Sequence, residues 1–161
     1  MPQRATVFVF LLRFPFQINK QLTAPHLIVV LYLCFDKYKI MKQKAFSIRP
    51  FIGANDYEVS RSFYRDLGFE ESVLGKDMSY FKTQGLGFYL QDADVKDWID
   101  NTMIFMEVED VDQYWNELVS LDLPAKYKNV RLTPIRKYDW GRECFLHDPS
   151  GILWHFGEFS K

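Results

Sequence analysis

The chain reads as an α+β fold made of two tandem βαβββ modules. Three observations carry that reading. The order strand, helix, three strands occurs twice, between residues 46 and 91 and again between 102 and 159. A polar stretch, QDADVKDWIDNT, joins the two copies. Each copy leaves one face of a small sheet uncovered, so the two are expected to pair and curve a mixed sheet around a shared cleft.

The elements follow in order. AFSIRPFIG, residues 45–53, alternates apolar and polar side chains and predicts a strand. Asp56 is placed to cap a helix running to about Asp66, with Val59, Phe63 and Leu67 on its apolar face and Gly68 as its stop. Strands are predicted over Glu70–Leu74, Met78–Thr83 and Gly87–Gln91, parted by the turns GKD and QG. In the second copy, Met103–Val108 predicts a strand, and DVDQ has the form of a capping box, Asp110 with Gln113 three residues on. The helix it opens carries Val111, Trp115, Leu118 and Val119 as its apolar stripe. Strands are then expected near Val130–Lys137, Glu143–Leu146 and Leu153–Phe159. HDPSG between the last two suits a tight turn, with Pro149 second and Gly151 fourth.

Length and composition narrow the function. A chain of 161 residues suits one domain, or two halves sharing a core. Apolar residues make up 48% and aromatic residues 17%, enough rings for both a core and the walls of a ligand site. The net charge of −1 conceals an asymmetry. Residues 1–40 hold five bases and one acid, leaving 15 bases against 20 acids in 41–161, a net −5. An acidic domain without basic clusters argues against nucleic acid and favours a cationic ligand. Two cysteines, Cys34 and Cys144, make no disulfide framework, which points to a reducing compartment. No metal-type Cys/His spacing, phosphate-binding glycine loop or GxSxG turn is present.

The first forty residues lack periodicity. Their apolar runs, Val7–Leu12 and Leu27–Phe35, are too short for stable membrane insertion. Three readings stay open for them: a leader peptide, a membrane-surface anchor, or an extension ahead of a working protein that starts at Met41. The third is favoured, which makes 41–161 the functional domain.

The stretch NDYEVSRSFYRDLGFE (55–70) after a short strand and loop resembles the first module of the vicinal oxygen chelate superfamily, which includes glyoxalase I, extradiol dioxygenases, and the fosfomycin- and bleomycin-resistance proteins. WGREC (140–144) followed by HDPSGILWHF (147–156) is similar to the ending of the bleomycin-resistance branch, as are PFIGANDYE (50–58) and DNTMIFMEV (100–108). The resemblance spans Phe46 to Phe159 and implies the vicinal oxygen chelate fold.

Metal-dependent members of the superfamily place one His or Glu ligand on each of four strands. Carried onto this chain, those slots hold Arg49, about Tyr89, Met103 and His155. A permanent cation, a neutral phenol and a soft thioether do not suit zinc or iron(II), so no metal and no other cofactor is expected. Glu107 and Glu158 are expected on other faces by strand alternation. His155, between Trp154 and Phe156, is then a cleft or core residue, with acid–base work as the alternative.

What the resemblance implies for function is sequestration. The chain is expected to be a cytoplasmic homodimer, whose interface clefts hold a bleomycin-type antibiotic, cationic and aromatic, without turnover. The candidate ligand-binding residues are Trp140, Phe105, Tyr89, His155, Glu143 and Trp98. Trp140 matches the aromatic before Gly-Arg-Glu, Phe105 stands where the family often has Trp, and Tyr89 falls on the fourth strand's cleft position. An acidic field from Glu143 and its neighbours suits a basic drug. Two alternatives remain. One is a superfamily enzyme, lyase or dioxygenase-like, acting on another small substrate. The other is an interaction module whose rings cover a dimer interface.

Overall fold

Among the described residues, strand alternation and helix caps resolve into eight strands and four helices. The structure, a computed structural model, describes residues 43–161; the readings made for residues 1–40 lie outside them. Module 1 comprises β1 (Phe51–Ala54), α1 (Tyr57–Asp66), β2 (Glu70–Val73), β3 (Met78–Thr83) and β4 (Leu86–Asp92). A short helix, α2 (Lys96–Asn101), occupies the linker. Module 2 comprises β5 (Met103–Glu107), α3 (Val111–Ser120), α4 (Leu123–Lys126), β6 (Arg131–Tyr138), β7 (Gly141–His147) and β8 (Leu153–Phe159).

Each module forms its own four-stranded sheet, in the orders β1-β4-β3-β2 and β5-β8-β7-β6. The first strand of each runs parallel to the last and the other pairs are antiparallel. This is the mixed α+β architecture the repeated pattern predicts.

The two sheets share one core. Phe81, Phe88 and Leu90 from module 1, and Cys144, Leu146, Trp154 and Phe156 from module 2, are all buried. Trp154 is in ring contact with Tyr64, Phe69 and Phe88 across the module boundary. Beneath this lies a polar strut. The Tyr64 hydroxyl donates to Asp148 Oδ2 at 2.7 Å and accepts from Trp154 Nε1 at 3.2 Å, all within the buried interior. Asp148 Oδ1 accepts from the backbone N–H groups of Ser150, Gly151 and Ile152. It therefore shapes the HDPSG turn, in which Gly151 has φ +111° and donates its N–H to Asp148 O.

Several expectations need correction. The first strand begins at Phe51 rather than 45. Phe51 opens the parallel ladder by pairing with Tyr89, and Pro50 just before it has no N–H to donate. The linker holds the α2 turn, which buries Ile99, and α4 was not foreseen. Val59 and Val119 are exposed. The buried stripe of α1 is Tyr57, Ser60, Phe63 and Tyr64, rotated away from Val59. The capping box is half formed. Asp110 Oδ1 accepts from the Asp112 and Gln113 N–H groups, whereas the Gln113 side chain donates forward to Glu117.

Candidate ligand-binding site

With one face of each sheet in the core, alternation sends every second side chain to the other face. On module 2 that outer face is aromatic. β5 supplies Phe105, β8 supplies His155 and Phe159, and β7 supplies Glu143 and Phe145. Tyr138 and Trp140 flank the β6–β7 turn. The Trp140 ring stacks on Tyr138 at 5.6 Å and 5°, and meets Phe159 at 5.3 Å and Phe105 at 5.9 Å. Phe105 also meets Phe159 at 5.7 Å. These four rings are between 37% and 49% exposed, too open to be core.

A polar pair lies beside the rings. His155 Nδ1 is 2.8 Å from Glu143 Oε2, and the imidazole packs edge-on against Phe145 at 5.0 Å. Glu143 is buried, 6% exposed. The two residues are diagonal across the β7–β8 ladder, since His155 pairs with Phe145 and Glu143 with Gly157. Gly157 has no side chain to block the diagonal. Its empty position is roofed instead by the Phe105 ring, and a Cβ there would strike Phe105 Cζ.

Module 1 carries a second, smaller aromatic face. Tyr89 stacks on Phe51 at 4.5 Å and leans on Tyr80 at 5.2 Å. The Arg49 guanidinium sits 4.5 Å from the Tyr80 ring centre, and its Nη1 donates to the Tyr89 hydroxyl at 3.3 Å.

Of the six residues singled out from sequence, four gather on module 2's outer face: Trp140, Phe105, His155 and Glu143. Tyr89 is on the outer face of module 1. Trp98 is on α2, 57% exposed, and belongs to neither ring cluster. Sequence reasoning passed over Phe145, Phe159, Tyr138, Phe51 and Tyr80. The period-two phase of β7 and β8 carries the signal for Phe145 and Phe159, which share a face with Glu143 and His155.

The four slots used by metal-binding relatives do not fit a divalent ion. Arg49 is a permanent cation bonded to Tyr89 and Met103 offers only a thioether, which leaves His155 as the one nitrogen donor among the four slots. Among the described residues, no group of three or more His, Cys, Asp or Glu is placed to hold a metal. Glu158 is on the opposite face, accepting from Val111 N–H and pairing with Arg142. Glu107, against expectation, shares the phase of Phe105 two residues earlier on β5.

A cleft of about 730 Å³ opens elsewhere, where Leu67, Phe69 and Leu86 face Met106 and Tyr114. None of the six residues lines it. Two of its acids, Asp110 and Glu158, are occupied at the N-terminus of α3.

Comparison with known proteins agrees with this architecture. Residues 47–156 match the Glyoxalase/Bleomycin resistance protein/Dioxygenase superfamily. No curated protein matches the chain. Among solved structures, the chain is similar to the bleomycin-binding protein of Streptomyces verticillus, complexed with copper(II)-bleomycin. There the identity is 25% and the TM-score 0.63, over 73% of this chain and 99% of that one. It is similar at 14% identity and TM-score 0.61 to the bleomycin resistance determinant encoded on transposon Tn5, over 73% of this chain and 100% of that one. A fosfomycin resistance protein from Listeria monocytogenes, complexed with manganese(II) and sulfate, is similar at 16% identity and TM-score 0.55, over 75% and 93%.

Proposed function

The chain belongs to the glyoxalase/bleomycin resistance protein/dioxygenase superfamily, and from that premise we propose that it binds and sequesters a cationic, aromatic antibiotic of the bleomycin type. One observation carries the reading. Half-exposed rings of Trp140, Phe105, Phe159 and Tyr138 surround an open platform with a buried carboxylate, Glu143, at its side. Such rings are costly to leave in water and suit a flat, electron-poor ligand. Affinity near micromolar needs about −8 kcal/mol, which a few stacked rings and one desolvated charge can supply. The bleomycin-binding protein of Streptomyces verticillus, similar in fold at 25% identity, supports the choice of ligand class.

The functional unit in this reading is a homodimer in the cytoplasm that works without metal or cofactor. Each module leaves an aromatic outer face partly open to water, and covering one such face with another between copies is favoured by the apolar area it would bury. Among the described residues no helix is long and apolar enough to cross a membrane.

The His155–Glu143 pair favours a second reading, in which the imidazole works as an acid–base group on a small substrate. Tryptophan fluorescence of the full chain, titrated with metal-free bleomycin, separates the two. Sequestration gives saturable quenching near one drug per chain, abolished in Trp140→Ala, with the drug recovered unchanged. Chemical conversion of the drug, lost in His155→Ala, supports the enzyme. No response at micromolar drug removes bleomycin from the reading.

A further inference from the structure

We propose that His155 is the polar selector of module 2's outer face, and that the ligand it accepts is a flat heteroaromatic molecule carrying an N–H donor on or beside its ring. The proposal rests on the binding reading above and adds the chemistry of one contact.

Glu143 Oε2 stands 2.8 Å from His155 Nδ1. An ionised carboxylate has no proton to give, so Nδ1 carries the hydrogen of this bond. Neutral imidazole has a single N–H, which leaves Nε2 as a lone-pair acceptor. That nitrogen makes no hydrogen bond among the described residues, and the side chain is 22% exposed on the ring-lined face. Phe145 at 5.0 Å and Phe105 at 6.4 Å hold the imidazole from two sides. A ligand lying against Phe105 and Trp140 therefore meets an acceptor nearby.

Glu143 adds an independent argument. A buried carboxylate is expensive unless several donors satisfy it. Here its side chain has one partner, His155. Arg136, its register partner on β6, is not bonded to it and instead holds its guanidinium 5.7 Å from the centre of the Phe145 ring. A carboxylate kept at that cost, with its charge directed through a single imidazole, orients and polarises His155 more than it stabilises the sheet. It makes Nε2 a stronger acceptor and tolerates a cationic donor as readily as a neutral one.

The test has two measurements on the full chain. Two-bond proton–nitrogen spectra at a pH above the imidazole range report the tautomer of His155, assigned by its loss in His155→Phe; the chain has only 3 histidines. The expected state is Nδ1–H with a bare Nε2, and the opposite tautomer overturns the proposal whatever the variant does. The second measurement is the affinity of 2-aminobenzothiazole against its 2-methyl analogue, which keeps the ring and lacks the donor. The amino probe is expected to bind about tenfold tighter, the upper end of one net hydrogen bond, and to lose that preference in His155→Phe. Equal affinities, a preference that survives in His155→Phe, or no binding at millimolar probe each overturns it. Bleomycin failing to bind while the amino preference holds removes the antibiotic reading alone. Bleomycin binding with equal probe affinities removes this inference alone.

Discussion

Replacing Tyr64 by Phe removes one oxygen from the centre of the molecule and nothing else. The ring keeps its packing against Phe63, Phe69, Phe81, Phe88 and Trp154. Lost are the hydrogen bond given to Asp148 Oδ2 at 2.7 Å and the one accepted from Trp154 Nε1 at 3.2 Å. A bond to a charged group contributes about 1.5–3 kcal/mol and a neutral one about 1, so Tyr64→Phe should cost about 3 kcal/mol. Against a total of about 5–15 kcal/mol that is a large fraction. Urea unfolding measures it, with an unchanged m-value because the buried surface is unchanged. The pH dependence gives a second check. Burial holds the Asp148 carboxyl above the ordinary carboxylate range, while the Tyr64 hydroxyl and the turn N–H groups pull it down. Without Tyr64 it rises further, so the folded variant takes up a proton sooner than wild type as pH falls. The stability gap is therefore widest at neutral pH and narrows in acid. A loss below about 1 kcal/mol, or a gap that widens in acid, would refute the account of this strut.

The remaining predictions concern both face and fold. Gly157→Ala places a methyl against the Phe105 ring, which must swing aside; drug or probe affinity should fall about tenfold in the fluorescence titration while stability drops by no more than about 1–3 kcal/mol. Burial is the largest influence on the Glu71 carboxyl and raises it, but bonds from Arg61, Ser79 and Arg65 win and leave it below the ordinary range. Its contribution is thus present above the unfolded carboxylate value and lost as pH falls through the depressed folded one; Glu71→Gln should cost about 2 kcal/mol at neutral pH and flatten the acid limb of a pH-stability series. Cys144 is fully buried, and burial pushes its thiol up to about 11. An aromatic disulfide reagent should label at most one of the two cysteines in the native chain, and the second only in urea.

The repeated module was legible because both periodicities are clean where one face meets the core, as in β4, where Phe88 and Leu90 are buried and Tyr89 and Gln91 less so. Caps and turns were equally readable, since Asp56, Asp110 and Asp148 all bond local backbone. What failed was tertiary. Alternation in 45–50 looks like a strand, yet the ladder with β4 opens only at Phe51, after a proline that has no N–H to donate. Val59 and Val119 fit a helical stripe by number but not by the rotation that packing imposes. Of the six site residues named from sequence, Trp140, Phe105, His155 and Glu143 lie on one face, whereas Tyr89 and Trp98 lie elsewhere. The Glu143–His155 contact escaped because it depends on a cross-strand register and on a glycine leaving the diagonal open.

The split between two faces of one sheet has a bearing on how such a protein changes over generations. Positions 144, 146, 154 and 156 are committed to holding the two modules together, and a substitution there is felt throughout. Their immediate neighbours at 143, 145 and 155, and Phe159 further along β8, hang on the same backbone but face the other way. Mutation can therefore alter the outer face one side chain at a time while leaving the interior between the modules as it is. Under the proposed reading, ligand choice and fold stability then rest on different residues of the same strands.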